Sequence, residues 1–402
     1  MMFSYLRNLR CSKCSKEYDA GRLNTVCSCG SPLLATYDHD SLVKDVRPGS
    51  IENRDKTLWR YHELLPVIEP SNVVSLGEGL SPMVASHRLG PSMGVNGLFI
   101  KDESSLPTGT FKARGAAVGV SKARELGVTR VALPTNGNAG AAWSAYCARA
   151  GIEAYVVMSK DAPSINRVEC TATGAKLYTV DGGIGDAGEI VRKSSSSKRL
   201  FDASTMKEPY RVEGKKTIGL EIMEQFKWKA PEVVICPSGG GVGLIGVYKA
   251  IQELTELDWI HGGKTRLVAV QSEGCAPIVD AWNKRARECT AWQSPSTVAF
   301  GINVAKPFAD RLILEALYST DGCAIAVSDK QILEAQKQAG RLEGLFICPE
   351  GAAAVAAVAE LREKGWIEAG ENVVVLNTGT GIKYPHLVDV QPVQLSKGSE
   401  IS

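Results

Sequence analysis

The chain has 402 residues, 44% hydrophobic and 22% charged, with a formal net charge of +2. These are the proportions of a soluble globular protein long enough for two domains with substantial cores. No basic tract implies a nucleic-acid or anionic-membrane partner, no apolar run approaches the ~20 residues of a membrane span, and the start, MMFSYLRNLRC, lacks the apolar core of a secretory signal; the expected compartment is the cytoplasm.

The first feature along the chain is a pair of cysteine knuckles, CSKC at 11–14 and CSC at 27–29, twelve residues apart. Cys11, Cys14, Cys27 and Cys29 have the spacing of a tetrahedral thiolate site, although C-x-C is tighter than C-x-x-C. Structural zinc and a vestigial ribbon without metal are both compatible with it. Either way the element is read as a structural appendage, since four thiolates leave no coordination position open for chemistry. The other seven of the eleven cysteines are scattered through apolar segments and read as reduced, buried small hydrophobes.

A connecting segment over 37–75, with two plausible helices and prolines at Pro48, Pro66 and Pro70, leads into a regular alternation. Apolar, β-branched runs predict strands at 97–102, 130–135, 153–158, 175–180, 232–237, 265–271 and 372–378. Helical patterns fall at 111–126, 138–150, 163–173, 185–199, 215–228, 241–257 and 330–343. Such alternation predicts a doubly wound α/β fold, whose ligands sit beyond the carboxyl ends of the strands. The serine run SSSSK at 194–198 reads as a solvated connection.

Four strand-end loops carry candidate chemistry. After GLFIKD comes PTGTFKARG (107–115), where Lys112 is either a solvated helix-face residue or an amine partly desolvated near a helix start, suited to Schiff-base chemistry. After RVALPT comes NGNAGAA (136–142), a tight turn with the amides of Asn136 and Asn138 free for a ligand. After EVVICP, the run Ser238, Gly239, Gly240, Gly241, Val242, Gly243 turns the chain into a helix with successive N–H groups exposed. This is an anion cradle, but neither a Walker A loop nor a clean dinucleotide fingerprint. The last strand runs into NTGTGIKYP, with Thr378 and Thr380 between glycines. An amine, amides, a phosphate nest and a hydroxyl together fit pyridoxal phosphate, with its aldehyde, ring hydroxyl, phosphate and ring nitrogen.

The motifs LGEGLSPM (76–83), KDESSLPTGTFKARG (101–115), TNGNAGAAWSAYCARAGI (135–152), EPYRVEGKKT (208–217), PSGGGVG (237–243), PEGAAA (349–354) and TGTGIK (378–383) occur in one order. With the cysteine pairs they resemble the pyridoxal-phosphate enzymes of fold type II, and among these the threonine synthase family. That resemblance implies two doubly wound domains of tryptophan synthase β-like architecture with a small zinc-ribbon-like N-terminal element: 1–40 for the element, 41–105 with 207–402 for a large cofactor domain, and 106–206 for a small mobile domain. It implies Lys112 as the Schiff-base lysine and proton shuttle, Asn138 on the cofactor's ring oxygen, Ser238 to Gly243 on its phosphate, and Thr378 at the pyridine nitrogen. Thr135, Asn136 and Arg211 are implied for the amino-acid substrate, and a homodimer is usual. The implied reaction converts O-phospho-L-homoserine and water to L-threonine and phosphate. A threonine or serine ammonia-lyase, or a β-replacing synthase, is the alternative on the same scaffold; a non-catalytic protein keeping the fold is a third.

Departures from the family pattern concern the substrate. Ala113 stands where Asp is common, Ala139 where a hydroxyl residue is, and Thr380 where His often is. In STMKEPYR (204–211), Thr205, Met206 and Glu208 replace polar or amide residues. A carboxylate at Glu208 is expected to weaken a phosphate pocket, with Lys207 compensating if it turns inward.

Overall fold

The computed structural model describes residues 2–397. The larger sheet has six strands in the spatial order Cys323–Val327, Arg266–Ser272, Val233–Pro237, Asn372–Asn377, Gly97–Asp102 and Met83–Ala85. All neighbours are parallel except the short edge strand Met83–Ala85. A second, four-stranded parallel sheet runs Lys176–Val180, Glu153–Ser159, Arg130–Thr135, Phe201–Asp202. The apolar runs VVICP and NVVVLN are inner strands, buried on both faces, which is why they lack period-2 alternation. No helix among the described residues is long and apolar enough to cross a membrane.

The expected strands and helices are present within a few residues, with the largest shift in the helix expected at 215–228, which spans Arg211–Gln225. Among the elements not expected from the sequence are the helices Pro277–Asn283, Asp310–Ser319 and Pro349–Glu363, and the strand Cys323–Val327. The alanine-rich Pro349–Glu363 is buried on nearly every side, so it shows no polar stripe to mark a helical period.

Two glycine-permitted contacts position the site. At Gly214 a Cβ would stand 2.1 Å from the Arg114 carbonyl oxygen, so only glycine lets the helix Arg211–Gln225 approach the helix Lys112–Glu125 this closely. Gly241, at φ +70°, caps the helix Val242–Glu256 in the left-handed region. Between the two packed helices lies a fully buried ion cluster. Arg114 donates from Nε to Glu103 (2.5 Å) and from Nη1 and Nη2 to Glu221 (2.5 and 2.7 Å), and Lys101 Nζ also reaches Glu221 at 2.7 Å.

The N-terminal element is a three-stranded antiparallel sheet of Leu6–Cys11, Glu17–Tyr18 and Leu33–Tyr37. It is not a detached appendage. Leu9, Leu33, Ala35 and Tyr37 share one core with Ala113, Ala116 and Ala117 of the helix that begins at Lys112. The Tyr37 hydroxyl donates to Glu213 at 2.9 Å, Lys249 donates to the Ala35 carbonyl at 2.6 Å, and the Tyr210 hydroxyl donates to the Ala20 carbonyl at 3.3 Å. Burying one apolar face of so small a sheet requires a partner surface, and the helices next to the site supply it.

Candidate active site

A cavity of about 570 Å³ opens where the carboxyl ends of both sheets meet. It is lined by Lys112, by Thr135 to Ala139, by Gly239 to Gly243 and by Thr378. All four loops singled out in the sequence therefore converge on one space.

Lys112 is the first residue of its helix, half-buried, with the lysine loop stitched to the final strand-end loop. The Phe111 N–H donates to the Thr378 carbonyl and the Thr380 N–H to the Gly109 carbonyl, both at 2.9 Å. Burial, then the nearby Arg211 cation, pulls the Lys112 amine down to about 8, while Glu350 and Cys348 oppose the shift. The uncharged amine is thereby accessible near neutral pH, the state a carbonyl-attacking lysine requires.

The glycine loop lines the same cavity, with Gly243 against the Phe111 ring. The N–H groups of Gly239, Gly240 and Gly241 donate to no protein acceptor among the described residues, and they lead into the N-terminus of a fifteen-residue helix. Unmatched amides at a helix start, with no side chain to fill the space, fit a phosphate monoester. Ser238 is turned away: its hydroxyl donates to the Cys236 carbonyl at 3.0 Å and its N–H to the Val270 carbonyl at 2.8 Å. It does not line the cavity.

Thr135 accepts the N–H groups of Gly137 (2.9 Å) and Gly140 (3.0 Å), tying down the start of the helix Asn138–Ala150. The Asn136 amide donates to the carbonyls of Phe300 (3.4 Å) and Asn303 (3.2 Å). Asn138 is held from both ends: its Nδ2 donates to the Tyr384 hydroxyl at 2.9 Å, and its Oδ1 accepts Lys383 Nζ at 3.2 Å. The Thr378 hydroxyl lies 3.5 Å from Cys348 Sγ.

Arg211 is not among the residues lining the cavity. Its guanidinium donates to Glu208 at 2.9 Å, to Thr205 Oγ1 at 3.1 Å and to the Ala203 carbonyl, and lies over the Trp143 ring. The reason is Glu208, a carboxylate only 1% exposed that needs a counter-charge. This also corrects the expectation for Glu208. It faces Arg211 rather than the cavity, so it does not repel an anion there. Thr205, Met206 and Lys207 do line the cavity, together with Arg192 and Lys306 near its mouth. Sequence reasoning passed over Arg192 and Lys306, which sit in segments without a motif, and over Glu350 and Tyr384, which lie inside the PEGAAA and GIKYP stretches but were not singled out there.

The four N-terminal cysteine sulfurs all lie within 4.8 Å of one another. Cys11 to Cys29 and Cys14 to Cys27 are each 3.5 Å apart, and the Tyr18 hydroxyl donates to Cys27 Sγ at 3.2 Å. Tetrahedral zinc with Zn–S near ~2.3 Å requires sulfurs about 3.8 Å apart, so this all-thiol donor set fits a closed structural ion.

Parallel sheets meeting at a cavity that holds a low-pKa lysine and an anion cradle define a pyridoxal-phosphate-dependent enzyme of fold type II. Residues 74–379 match the family model described as pyridoxal-phosphate dependent enzyme. The chain is 36% identical to threonine synthase of Methanocaldococcus jannaschii, over 94% of this chain and 93% of that one. It is 35% identical to threonine synthase of Methanosarcina acetivorans, over 95% and 93%. The chain belongs to the threonine synthase family of pyridoxal-phosphate-dependent lyases. Among solved structures, maize serine racemase (TM-score 0.65, 22% identity, 77% of this chain and 92% of that one) shares the fold. So does the processed form of threonine deaminase isoform 2 from Solanum lycopersicum (TM-score 0.64, 22% identity, 79% and 88%).

Proposed function

We propose that the chain converts O-phospho-L-homoserine and water to L-threonine and phosphate. The observation that carries this reading beyond the family is the group of cations at the mouth: Arg192, Lys207 and Lys306 line the same cavity as Lys112. Each has one carboxylate within 4.0 Å (Glu189, Asp202 and Asp310), a setting in which a phosphate dianion can compete for the cations. Lys112 would hold the cofactor through its amine, the amides of Gly239 to Gly243 its phosphate, Asn138 its ring oxygen and Thr378 its ring nitrogen. When bound, pyridoxal phosphate supplies an electron sink for carbanionic charge on the substrate.

The residues of the chain supply the rest. The Lys112 amine accepts the substrate Cα proton and returns protons to the carbon skeleton. Thr135 and Asn136 stand where the amide groups at the start of the helix Asn138–Ala150 meet a carboxylate. Arg211, set behind the wall, orients Thr205 and helps keep the Lys112 amine uncharged. Arg192, Lys207 and Lys306 hold the leaving phosphate. The domain limits proposed from the sequence, 1–40, 41–105 with 207–402, and 106–206, assign each sheet to its own unit.

A substrate panel tests the reaction. Purified protein is expected to release phosphate and threonine in equal amounts from O-phosphohomoserine. Formation of 2-oxobutanoate and ammonia from threonine, with phosphohomoserine inert, would overturn the reading in favour of an ammonia-lyase. Lys207→Ala and Arg192→Ala are each expected to raise KM for the phosphorylated substrate about 10-fold with kcat within about 3-fold, the pattern of lost ground-state binding.

We also propose that Cys11, Cys14, Cys27 and Cys29 hold one structural zinc. Elemental analysis is expected to find one equivalent per chain. The Cys14→Ser, Cys29→Ser double variant should lose it and drop in Tm by about 5 °C or more. A wild-type chain free of metal at full stability would refute the assignment.

A further inference from the structure

Glu350 is the second residue of the helix Pro349–Glu363 and lines the same cavity as Lys112. It is 4% exposed. Its Oε1 accepts the Gly301 N–H at 2.7 Å and the Tyr384 O–H at 3.0 Å. Most other deeply buried carboxylates here have a cation beside them: Glu103 and Glu221 have Arg114, Glu208 has Arg211, and Glu213 and Glu253 have Lys216. Glu78, which has none, is held by the Trp59 indole, the Tyr146 hydroxyl and the Leu76 N–H and does not line the cavity. Glu350 has no cation within 4.0 Å among the described residues. Unlike Glu78, Glu350 faces the cavity of Lys112, where a cationic partner can be supplied during function.

The groups facing it are few. Cys348 precedes it on the same helix start, and Tyr384 comes from the segment after the last strand. Lys112, on the neighbouring helix, is near enough for the two charges to interact, and Arg211 acts on Lys112 in the opposite sense. Tyr384 ties the arrangement together, because the hydroxyl that donates to Glu350 also accepts the Asn138 amide.

We propose that Glu350 is a positioning residue for the Lys112 amine, an anion held by Gly301 and Tyr384 that receives the ammonium form of Lys112 whenever that amine has taken up a proton. The proposal rests on Lys112 being the cofactor lysine. As a shuttle, Lys112 must become cationic inside a cavity where burial and Arg211 disfavour the charge. Glu350 offsets that cost without being a fixed ion-pair partner, so the amine also remains free to be neutral.

The test is Glu350→Gln, which keeps the acceptor for Gly301 and Tyr384 but removes the charge. In the cofactor-loaded full chain, the pH midpoint of the bound cofactor's visible absorbance is expected to fall by about 1 unit. The pH at which Lys112 becomes reactive to an acylating reagent, read by site-resolved mass spectrometry after the cofactor is removed, should fall equally. The cofactor should remain bound, and kcat should drop about 10-fold or more. A role in folding alone would change the Tm but move neither midpoint. Glu350→Ala serves as a second variant and should shift both midpoints in the same direction. Midpoints within 0.2 unit (about one fifth of the expected shift) of wild type in a folded, cofactor-holding variant, or an upward shift, would overturn the proposal. If Lys112→Ala still holds cofactor through a covalent bond to the chain, the underlying reading fails instead, so the two failures are separable.

Discussion

Lys112→Ala should give a folded protein that no longer binds pyridoxal phosphate covalently and turns over its substrate at least about 10³-fold more slowly. The magnitude follows from removing a nucleophile and a proton carrier in one step. Folding should survive, because Lys112 is half-buried at a helix start and makes no side-chain ion pair within 4.0 Å among the described residues. Two readouts separate this from a general defect. The visible absorbance of the bound cofactor should vanish in the variant while the Tm of the cofactor-free chain stays close to wild type. In the cofactor-free wild-type chain, Lys112 should also be unusually reactive. With its amine lowered to about 8, the deprotonated fraction rises as pH climbs through that value, well before ordinary lysines respond near ~10.4. Acylation of Lys112 should therefore rise between about pH 7 and 9. A variant that retains both absorbance and turnover would remove Lys112 from the site.

Arg114→Leu is expected to be the most destabilising single change, about 3–5 kcal/mol. Arg114 is fully buried and gives hydrogen bonds to Glu103, Glu221, Thr217 and Ser81. Removing it leaves two buried carboxylates facing only Lys101, whose single ammonium reaches Glu221 but not Glu103 within 4.0 Å. The remedy open to the protein is to protonate a carboxylate, which lowers its charge but not the loss of the guanidinium's packing. The measurement is chemical denaturation, with the midpoint lowered and the slope unchanged. Because Arg114 lies two residues after Lys112 and fixes that helix against Arg211–Gln225, cofactor binding should weaken as well. Glu221→Gln in the Arg114→Leu background should recover part of the lost stability, since it removes one uncompensated charge. No recovery would mean that packing, not charge, dominates.

The parts of this protein legible in its sequence are those where one residue type has few physical alternatives. Runs such as VVICP and NVVVLN fit only a sheet covered on both faces, so the α/β class could be read from them. SGGGVG can do little but turn a strand into a helix with its amides bare. Reading stopped where burial removed the pattern. The helix Pro349–Glu363 has no polar face, and the strand Cys323–Val327 is a five-residue apolar run, too short for its period to tell strand from helix. Reading also stopped where a side chain's direction depended on which opposite charge it met. Glu208 looked like a charge in the substrate pocket, yet Arg211, three residues on, draws it into the wall. Arg211 in turn is withdrawn from the cavity by that pairing.

Local sequence determined that four strand-end loops would present an amine, amides, a bare anion cradle and a hydroxyl, because backbone chemistry and strand polarity put loop residues at one edge. Only the tertiary structure decided which charges face the cavity. Electrostatic pairing in a low-dielectric interior is settled by contacts far apart along the chain, as between Lys112, Arg211, Glu350 and Tyr384. The same holds for the cysteine element, whose spacing marks a metal site but says nothing of where it packs. Its burial against the helix that begins at Lys112 comes from the need of a small sheet to cover its apolar face.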